Sequence, residues 1–403
     1  MQRNGTPGGH LKRRQIVAFV ALLLLCAGIA LVAISDYLDE KRWKDLVRTV
    51  SAGMELTAEG AEALERRLEL DAHDLQARTQ LVVYYYYQAY VHHPKRLRDS
   101  GRDLAIHPEY ARDHREHLLW LIRNAPEAPL FRHGGATQIN PFLDADGYVA
   151  GKRAWLSQLE KEPTNVELLG NAAKFLFELQ DRDLLRGVLE RGQALEPQNS
   201  KWPAELGRMY LRGARFGYGF KGFKLAGDPD VPSGLADLVV PNPTKDRKGS
   251  ALMAMELFQR AYELAENNIE RVGLLGRVAE AAFHAHRYED ARAFATAILS
   301  GEHRDAASEW GVHRAHIVLG RVALIDDDAA RAKHHLLEAG KVAKSPSLDG
   351  YDPEISLAAE LLERGETDVV LAYFELWSKF RPTDELAEWT ALVKDGGTPD
   401  WVY

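Results

Sequence analysis

Cysteine is almost absent from this chain, which has one cysteine, Cys26, among 403 residues. A single cysteine cannot form an internal disulfide, so a disulfide-stabilised fold is excluded and the cellular compartment stays open. A strong basic excess is also missing, because the formal net charge is −8 at pH 7. Nucleic-acid-binding domains usually carry concentrated positive charge, so we expect no nucleic-acid partner.

Segments typical of β-strands are scarce, and Leu238-Val239-Val240 is among the few. Apolar residues instead recur every three or four positions, as at Ala61, Leu64 and Leu68, which is the spacing of one helix face. Short breaks with proline, glycine or asparagine separate these stretches, for example over 196–199. The hydrophobic share of 46% supplies ample material for a core. The pattern predicts an all-α protein.

Charged residues are missing from one long stretch near the N-terminus, Ile16 to Ile34. A helix of this length spans roughly 28 Å, about the thickness of the hydrocarbon core of a bilayer. Basic residues precede the stretch and acidic residues do not, so 1–15 is expected to be a basic cytoplasmic tail. The sequence predicts one transmembrane helix over 16–34, with the bulk of the chain periplasmic or extracellular.

A cleaved signal peptide is the alternative to this anchor. Gly28-Ile29-Ala30 resembles a cleavage site, but it lies inside the apolar run, and a signal peptide usually has a shorter apolar region. Lipid attachment at Cys26 is disfavoured because Leu25 stands where lipoprotein signals place a small residue. We favour the retained anchor, and secretion after signal cleavage stays the alternative.

Internal similarity along the chain predicts pairs of helices. Three related segments each begin the first helix of a pair: Leu206-Gly207-x-x-Tyr210, Leu319-Gly320-x-x-Ala323 and Leu357-Ala358-x-x-Leu361. The second helices have small residues at matched offsets: Ala254-x3-Phe258-x2-Ala261, Ala291-x3-Ala295 and Ala332-x3-Leu336-x2-Ala339. Spacings of 35 to 41 residues between equivalent positions suit helix pairs of about 34 residues with variable connections.

These motifs, with prolines such as Pro163, Pro197 and Pro382 closing the repeats, resemble the tetratricopeptide-repeat (TPR) superfamily. The resemblance covers roughly 165–382, with a weaker unit over 74–90, and implies a solenoid of helical pairs. We therefore expect an N-terminal helical region over 36–160 with one divergent repeat. A TPR-like array follows over 161–390, with an inserted loop at 213–249 and a C-terminal tail over 391–403. A segment over 100–160 is similar to one in uncharacterised bacterial repeat proteins.

Motifs that carry catalysis are not recognisable. The chain has no nucleophile elbow, no Gly-Lys-Ser/Thr phosphate loop and no convincing local carboxylate pair. His107, His114 and His117 are close in sequence but lack the placed third ligand and glutamate of a catalytic zinc site, so we expect solvated histidines. We predict no enzyme activity, no cofactor and no metal site.

Two further runs invite a metal and are better explained without one. Asp326-Asp327-Asp328 lacks the alternation and the distal glutamate of an EF-hand loop. Acids at this place favour the start of the following helix, which predicts a capping role. His334 and His335 are consecutive on a helix, point to different sides and cannot chelate one ion together.

Four consecutive tyrosines, Tyr84 to Tyr87, cover every direction of a helix. We expect some of them to be buried between neighbouring helices and at least one to be exposed. A ligand-stacking role is the alternative.

Gly217-x-Gly219-x-x-Gly222 has the letters of a dinucleotide-binding turn. Such a turn needs a preceding strand, whereas a helix precedes this one, so we expect no nucleotide. Phe216, Tyr218 and Phe220 alternate with glycines, and an extended backbone would place their rings on one face. The rings either cover the array or meet a partner.

The resemblance also implies a partner-binding groove on the concave surface of the first helices. Positions of this kind are Arg208, Leu211, Arg212, Glu280, Phe283, His284, Arg314, Arg321 and Leu324. Guanidinium binds carboxylate bidentately, so these arginines suit an acidic segment or a C-terminal carboxylate. Alternatively, they pair with Glu280 and neighbouring acids and keep a face solvated.

These observations predict a membrane-anchored scaffold or adaptor that binds a protein or peptide on the non-cytoplasmic side. The alternative is a cell-envelope enzyme or a glycan-binding module that uses Tyr84–Tyr87 and the loop at 213–249.

Overall fold

The structure is a computed structural model, and it describes residues 41–91, 107–133, 135–139, 144–177, 182–216, 246–300, 308–342, 354–379 and 383–399. Within these ranges every regular element is a helix and no strand occurs. The all-α prediction is therefore confirmed. The chain divides into two compact units, Met1–Gln158 and Leu159–Tyr403.

The first unit contains six described α-helices. They are α1 (41–54), α2 (Ala58–Leu70), α3 (Leu75–Tyr86), α4 (Pro108–Asn124), α5 (Leu130–His133) and α6 (Ala145–Lys161), the last of which ends beyond the unit boundary. A π-helical turn follows α3 over Tyr87–Val91. The side chain of Thr57 caps α2 and that of Asp74 caps α3, because each accepts a backbone N–H of the first turn.

The core of the first unit is aromatic and aliphatic. Helix α4 buries Leu118, Leu121 and Ile122 completely, as expected for an amphipathic helix. Trp155 of α6 is also fully buried and meets Phe131 edge to face at 4.9 Å between ring centroids.

The second unit contains eleven described helices. They are α7 (Val166–Leu176), α8 (Arg182–Leu195), α9 (Lys201–Phe216), α10 (Arg247–Leu264), α11 (Asn268–His284), α12 (Tyr288–Leu299), α13 (Glu309–Ile325), α14 (Ala329–Val342), α15 (Ser356–Glu363), α16 (Thr367–Ser378) and α17 (Asp384–Lys394). Several begin at a side-chain cap, for example Asn165 before α7 and Ser308 before α13.

Helices that follow one another in sequence pack as pairs in the second unit. Helices α9, α11, α13 and α15 each contact the next member of that series and form one layer. Helices α10, α12 and α14 lie between successive members of this layer, and α16 packs on both α14 and α15. We call α9, α11, α13 and α15 the first-helix layer.

Small residues allow the close approach of these helices. A Cβ added at Gly207 of α9 would stand 2.8 Å from the ring of Phe258 on α10, and Ala254 and Ala261 of α10 are fully buried. Two of the three repeat motifs lie within helices rather than at their starts, because α9 begins at Lys201 and α13 at Glu309. The third motif, which begins at Leu357, stands at the start of α15 as predicted.

The inserted segment is shorter than predicted at both ends. Helix α9 continues through Phe216, and Ala214 in its last turn is buried. Helix α10 begins at Arg247 after its cap, Asp246. The backbone at Phe216 is therefore helical, so the extended backbone that would place the three rings on one face does not include Phe216. Tyr218, Phe220 and the three glycines of the dinucleotide-like motif lie outside the described residues.

The predicted transmembrane segment, Ile16 to Ile34, and Cys26 also lie outside the described residues. In the described part of the chain, no helix has the length and apolar character needed to cross a bilayer. At the other end, α17 continues to Lys394, four residues beyond the predicted end of the array at 390.

Candidate functional site: an arginine face on the first-helix layer

Six arginines lie together on one side of the first-helix layer. We call them the arginine face: Arg208, Arg212 and Arg215 of α9, Arg277 of α11, and Arg314 and Arg321 of α13. Spacings of three, four and seven residues place the arginines of one helix on a common side. Ion pairs and charge interactions link the three helices.

Glu280 of α11 lies at the centre of this face with only 6% of its side chain exposed. It forms an ion pair with Arg215 of α9, and its Oε2 is 3.6 Å from Nε of Arg314 on α13. Burial alone would raise the pKa of Glu280, but the two arginines outweigh it and lower the pKa to about 2. Glu280 therefore joins three helices of the array.

Two other arginines of the face are also paired within the chain. Arg321 lies 2.7 Å from Glu360 of α15, and its guanidinium is 4.2 Å from the ring centroid of Phe283. Arg208 lies 2.8 Å from Glu205, one turn earlier on α9. The expectation that the arginines pair with acids is confirmed here.

A fully solvated face is wrong, however. The side chains of Arg314 and Arg321 are only 16% and 17% exposed. Leu211 and Leu324, which we expected in the groove, are buried in the cores of the array.

Arg277 differs from the other arginines and was not among the predicted groove positions. It is half-buried, and among the described residues the carboxylates of Glu205 and Glu280 act on it by charge, but none forms an ion pair with it. Its guanidinium is 5.9 Å from the ring centroid of Phe258. Burial lowers the pKa of Arg277 to about 10, and the positive charges of Arg314 and Arg208 add to this effect. One sequence feature could have indicated Arg277 as a site residue: it lies three residues before Glu280 on the same helix.

Among the described residues, the face has an excess of positive charge. Its six arginines meet four described glutamates: Glu205, Glu280, Glu354 and Glu360. His284 adds no charge near pH 7, because burial lowers its pKa to about 4. The charges of Arg208 on α9 and Arg314 on α13 act on Arg277 of α11, as do those of Glu205 and Glu280. This arrangement suits binding of a carboxylate.

In the first unit, His117 is the centre of a buried polar network. Nη1 of Arg78 is 3.1 Å from Nδ1 of His117, and because arginine only donates, Nδ1 accepts. Nε2 of His117 then donates to Glu65 at 2.8 Å, and the hydroxyl of Tyr85 donates to the same carboxylate at 2.9 Å. Both nitrogens of His117 therefore have partners, which leaves neither to act as a base or a metal ligand.

The expectation of solvated histidines is wrong for two of the three. His114 is fully buried, with its Nε2 2.7 Å from the carbonyl oxygen of Ala136, and His117 is 8% exposed. Both side chains contact neighbouring elements, which the i, i+3 spacing of the two residues alone does not predict. His107 is exposed as expected.

The tyrosine run contributes to the core of the first unit. Tyr84 and Tyr85 are buried, Tyr86 and Tyr87 are half-buried, and none of the four is fully exposed. Tyr85 stacks on His117 with 5.6 Å between ring centroids. The expectation of an exposed ring in this run is therefore wrong.

The aspartate run caps a helix, as predicted. Oδ1 of Asp328 accepts the backbone N–H of Arg331 at 2.9 Å in the first turn of α14. Across the described ranges, no three or more histidine, cysteine, aspartate or glutamate side chains are arranged to hold a metal ion.

No protein-family model matches the sequence, and no curated protein is significantly similar to it.

Proposed function

We propose that this chain is a membrane-anchored, TPR-like scaffold whose arginine face binds a carboxylate-bearing segment of a partner protein. The observation that carries the proposal is Arg277, a half-buried guanidinium that has no ion pair with another described residue and whose pKa is lowered by burial and by the charges of Arg314 and Arg208. The anchor is Ile16 to Ile34, which places the array on the non-cytoplasmic side.

The pairwise packing of helices supports the scaffold part of the proposal. In the TPR superfamily the first helices of successive pairs line the surface that holds extended peptides. On this proposal, the layer formed by α9, α11, α13 and α15 serves as that surface; in the structure each of these helices contacts the next. It carries the arginine face, whereas the residues that fit helix pairs together are small and apolar, such as Ala254 and Ala291.

The partner class follows from the chemistry of the guanidinium group. An aspartate, a glutamate or a C-terminal carboxylate would accept two parallel N–H bonds from Arg277. A hydrogen bond to a charged group contributes roughly 1.5–3 kcal/mol. Loss of this contact should therefore weaken binding by about one to two orders of magnitude.

The test begins with cross-linking in intact membranes, followed by capture of the chain and identification of the bound proteins. Arg277→Gln should reduce recovery of the specific partner strongly. Arg260→Gln is the matched control, because Arg260 is an exposed arginine of α10 that pairs with Glu263. Equal recovery with the two variants, or no specific partner at all, contradicts the proposal.

The alternative, a cell-envelope enzyme or glycan-binding module, is distinguished with the same purified protein. A glycan that binds in solution, and whose binding is lost in Tyr85→Phe or Tyr218→Phe, would favour the alternative. On the scaffold proposal, neither variant changes partner recovery.

A further inference from the structure

A pair of histidines meets across helices α13 and α14, away from the arginine face. Nδ1 of His316 lies 3.0 Å from Nδ1 of His335, and the two rings are tilted by 41°. The residues are 19 positions apart in sequence, so the contact is created by the packing of the helix pair. Both side chains are half-buried.

A cleft of about 520 Å³ opens beside this pair. His316 lines it together with Glu309, Glu338 and Lys341. Glu338 is three residues after His335, so the two side chains share one side of α14. Its carboxylate is 2.5 Å from the ammonium of Lys341, one turn later. The cleft thus brings a glutamate and solvent to His316, which is in contact with His335.

In the metal-free protein, one of the two Nδ1 atoms carries a hydrogen and donates it to the other. Two nitrogens 3.0 Å apart can also both lie 2.0–2.1 Å from one ion, which is the usual zinc–imidazole distance. As the side chains lie, only these two ligands are in place, consistent with the lack of a three-ligand group in the described ranges. Glu338 becomes the third when it leaves Lys341.

We propose that His316 and His335 bind a divalent transition-metal ion of the zinc type through their Nδ1 atoms, with Glu338 as third ligand and a water of the cleft as fourth. The hydrogen on Nδ1 moves to Nε2 of the same ring, so the imidazoles stay neutral and no net proton is released. Imidazole and carboxylate are ligands that zinc accepts readily. This site is independent of the proposed partner binding.

Two charged side chains of the cleft bear on the affinity of the site. The negative charge of Glu309 in the cleft favours binding of a cation, and the positive charge of Lys341 opposes it. We therefore expect moderate affinity, in the range in which zinc is exchangeable.

The test is calorimetric titration of zinc into the tag-free, purified full-length chain in detergent at pH 7. We expect one equivalent to bind. His316→Gln and His335→Gln should each weaken binding by about tenfold or more, and Glu338→Gln by less. The matched control is His334→Gln, because His334 is the exposed neighbour of His335 and lies outside the proposed ligand set. It should leave the affinity within about twofold of the original.

Three results would overturn the proposal. They are no binding at about 100 μM zinc, unchanged binding in His316→Gln, or an equal loss in His334→Gln. If a variant fails to keep its helical circular dichroism, X-ray absorption of the zinc-loaded original protein decides instead. A fit with two imidazoles at about 2.0–2.1 Å supports the site, and a fit with one or none contradicts it.

Discussion

Replacing Glu280 by glutamine removes a buried negative charge while keeping the shape of the side chain. The pKa of Glu280 is about 2 in the folded protein, against 4.5 for an ordinary glutamate. Each pKa unit corresponds to about 1.36 kcal/mol, so the ionised carboxylate contributes roughly 3 kcal/mol to folding at pH 7. Glutamine also leaves Arg215 and Arg314 without their shared partner, and a broken buried pair costs roughly 3–5 kcal/mol. We expect Glu280→Gln to lower the free energy of unfolding by about 3 kcal/mol.

The pH dependence of this loss has a definite sign. The folded pKa is depressed, so the stabilisation is fully present above the unfolded pKa of 4.5 and disappears as the pH falls toward 2. A protonated glutamate and a glutamine are then nearly equivalent. The difference in unfolding free energy between the original protein and Glu280→Gln should therefore be large at pH 7, smaller near pH 3 and close to zero near pH 2.

Urea unfolding of the full-length chain in detergent, followed by circular dichroism at each pH, measures this difference. The control is Glu263→Gln, because Glu263 is 64% exposed and pairs with Arg260 on the surface of α10. It should change stability by less than about 0.5 kcal/mol. A difference for Glu280→Gln that stays constant between pH 7 and pH 3, or that is below about 1 kcal/mol at pH 7, refutes the reasoning.

The same substitution separates stability from partner binding. Glu280→Gln adds one positive charge to the arginine face and removes the carboxylate that Arg215 and Arg314 share, while Arg215 keeps its ion pair with Glu354. On the proposed function, an acidic partner should therefore bind more tightly to a less stable protein. Weaker binding at a temperature where the variant is folded would show that the face does not recognise an anion.

Two matched pairs of substitutions test the packing and the caps. Gly192→Ala should lower the free energy of unfolding by about 1–2 kcal/mol, because the new Cβ would stand 2.4 Å from the buried ring of Trp202. Gly187 lies on the same helix, and a Cβ added there meets nothing within 4 Å. Gly187→Ala should therefore raise the free energy of unfolding by about 0.5–1 kcal/mol. Thermal unfolding measures both, and equal effects would contradict the packing. Asp328→Ala should lower the free energy of unfolding by about 1 kcal/mol, because it removes the cap of α14. Asp327→Gly should raise the free energy of unfolding by about 0.5–1 kcal/mol, because Asp327 has a φ of 61°. A stabilising Asp328→Ala would show that the cap is not formed.

The helical pairs could be predicted because their cause is local. Small residues recur at helical spacing, and positions such as Ala254, Ala261 and Ala332 are all fully buried. Exact helix starts were less predictable, since the repeat motif marks the contact between helices rather than a cap. The end of α9 was misplaced for a related reason. Arg215 continues the helix by pairing with Glu280, which lies 65 residues away in sequence.

The site residues show the limit of sequence patterns more sharply. Positions on the first helices predicted that arginines would gather, but not that Arg277 would lack a carboxylate. The pairing of His316 with His335 follows from the contact of α13 with α14, and no spacing within one helix encodes it. His114 and His117 were wrongly expected to be solvated. Periodicity shows which residues share a helix face, but not whether neighbouring helices cover that face.

The two polar networks differ in a way that supports a binding role for only one of them. His117 has a partner on each nitrogen, so a ligand could reach it only by breaking existing hydrogen bonds. Arg277 has no ion pair with another described residue; burial and the charges of Arg314 and Arg208 lower its pKa, and those of Glu205 and Glu280 raise it. Glu280 accounts for its own pairing by the stability that it contributes, whereas Arg277 has no such pair among the described residues. On the proposed function, Arg277 recognises an anion, and Arg277 is therefore the residue at which the proposal can fail.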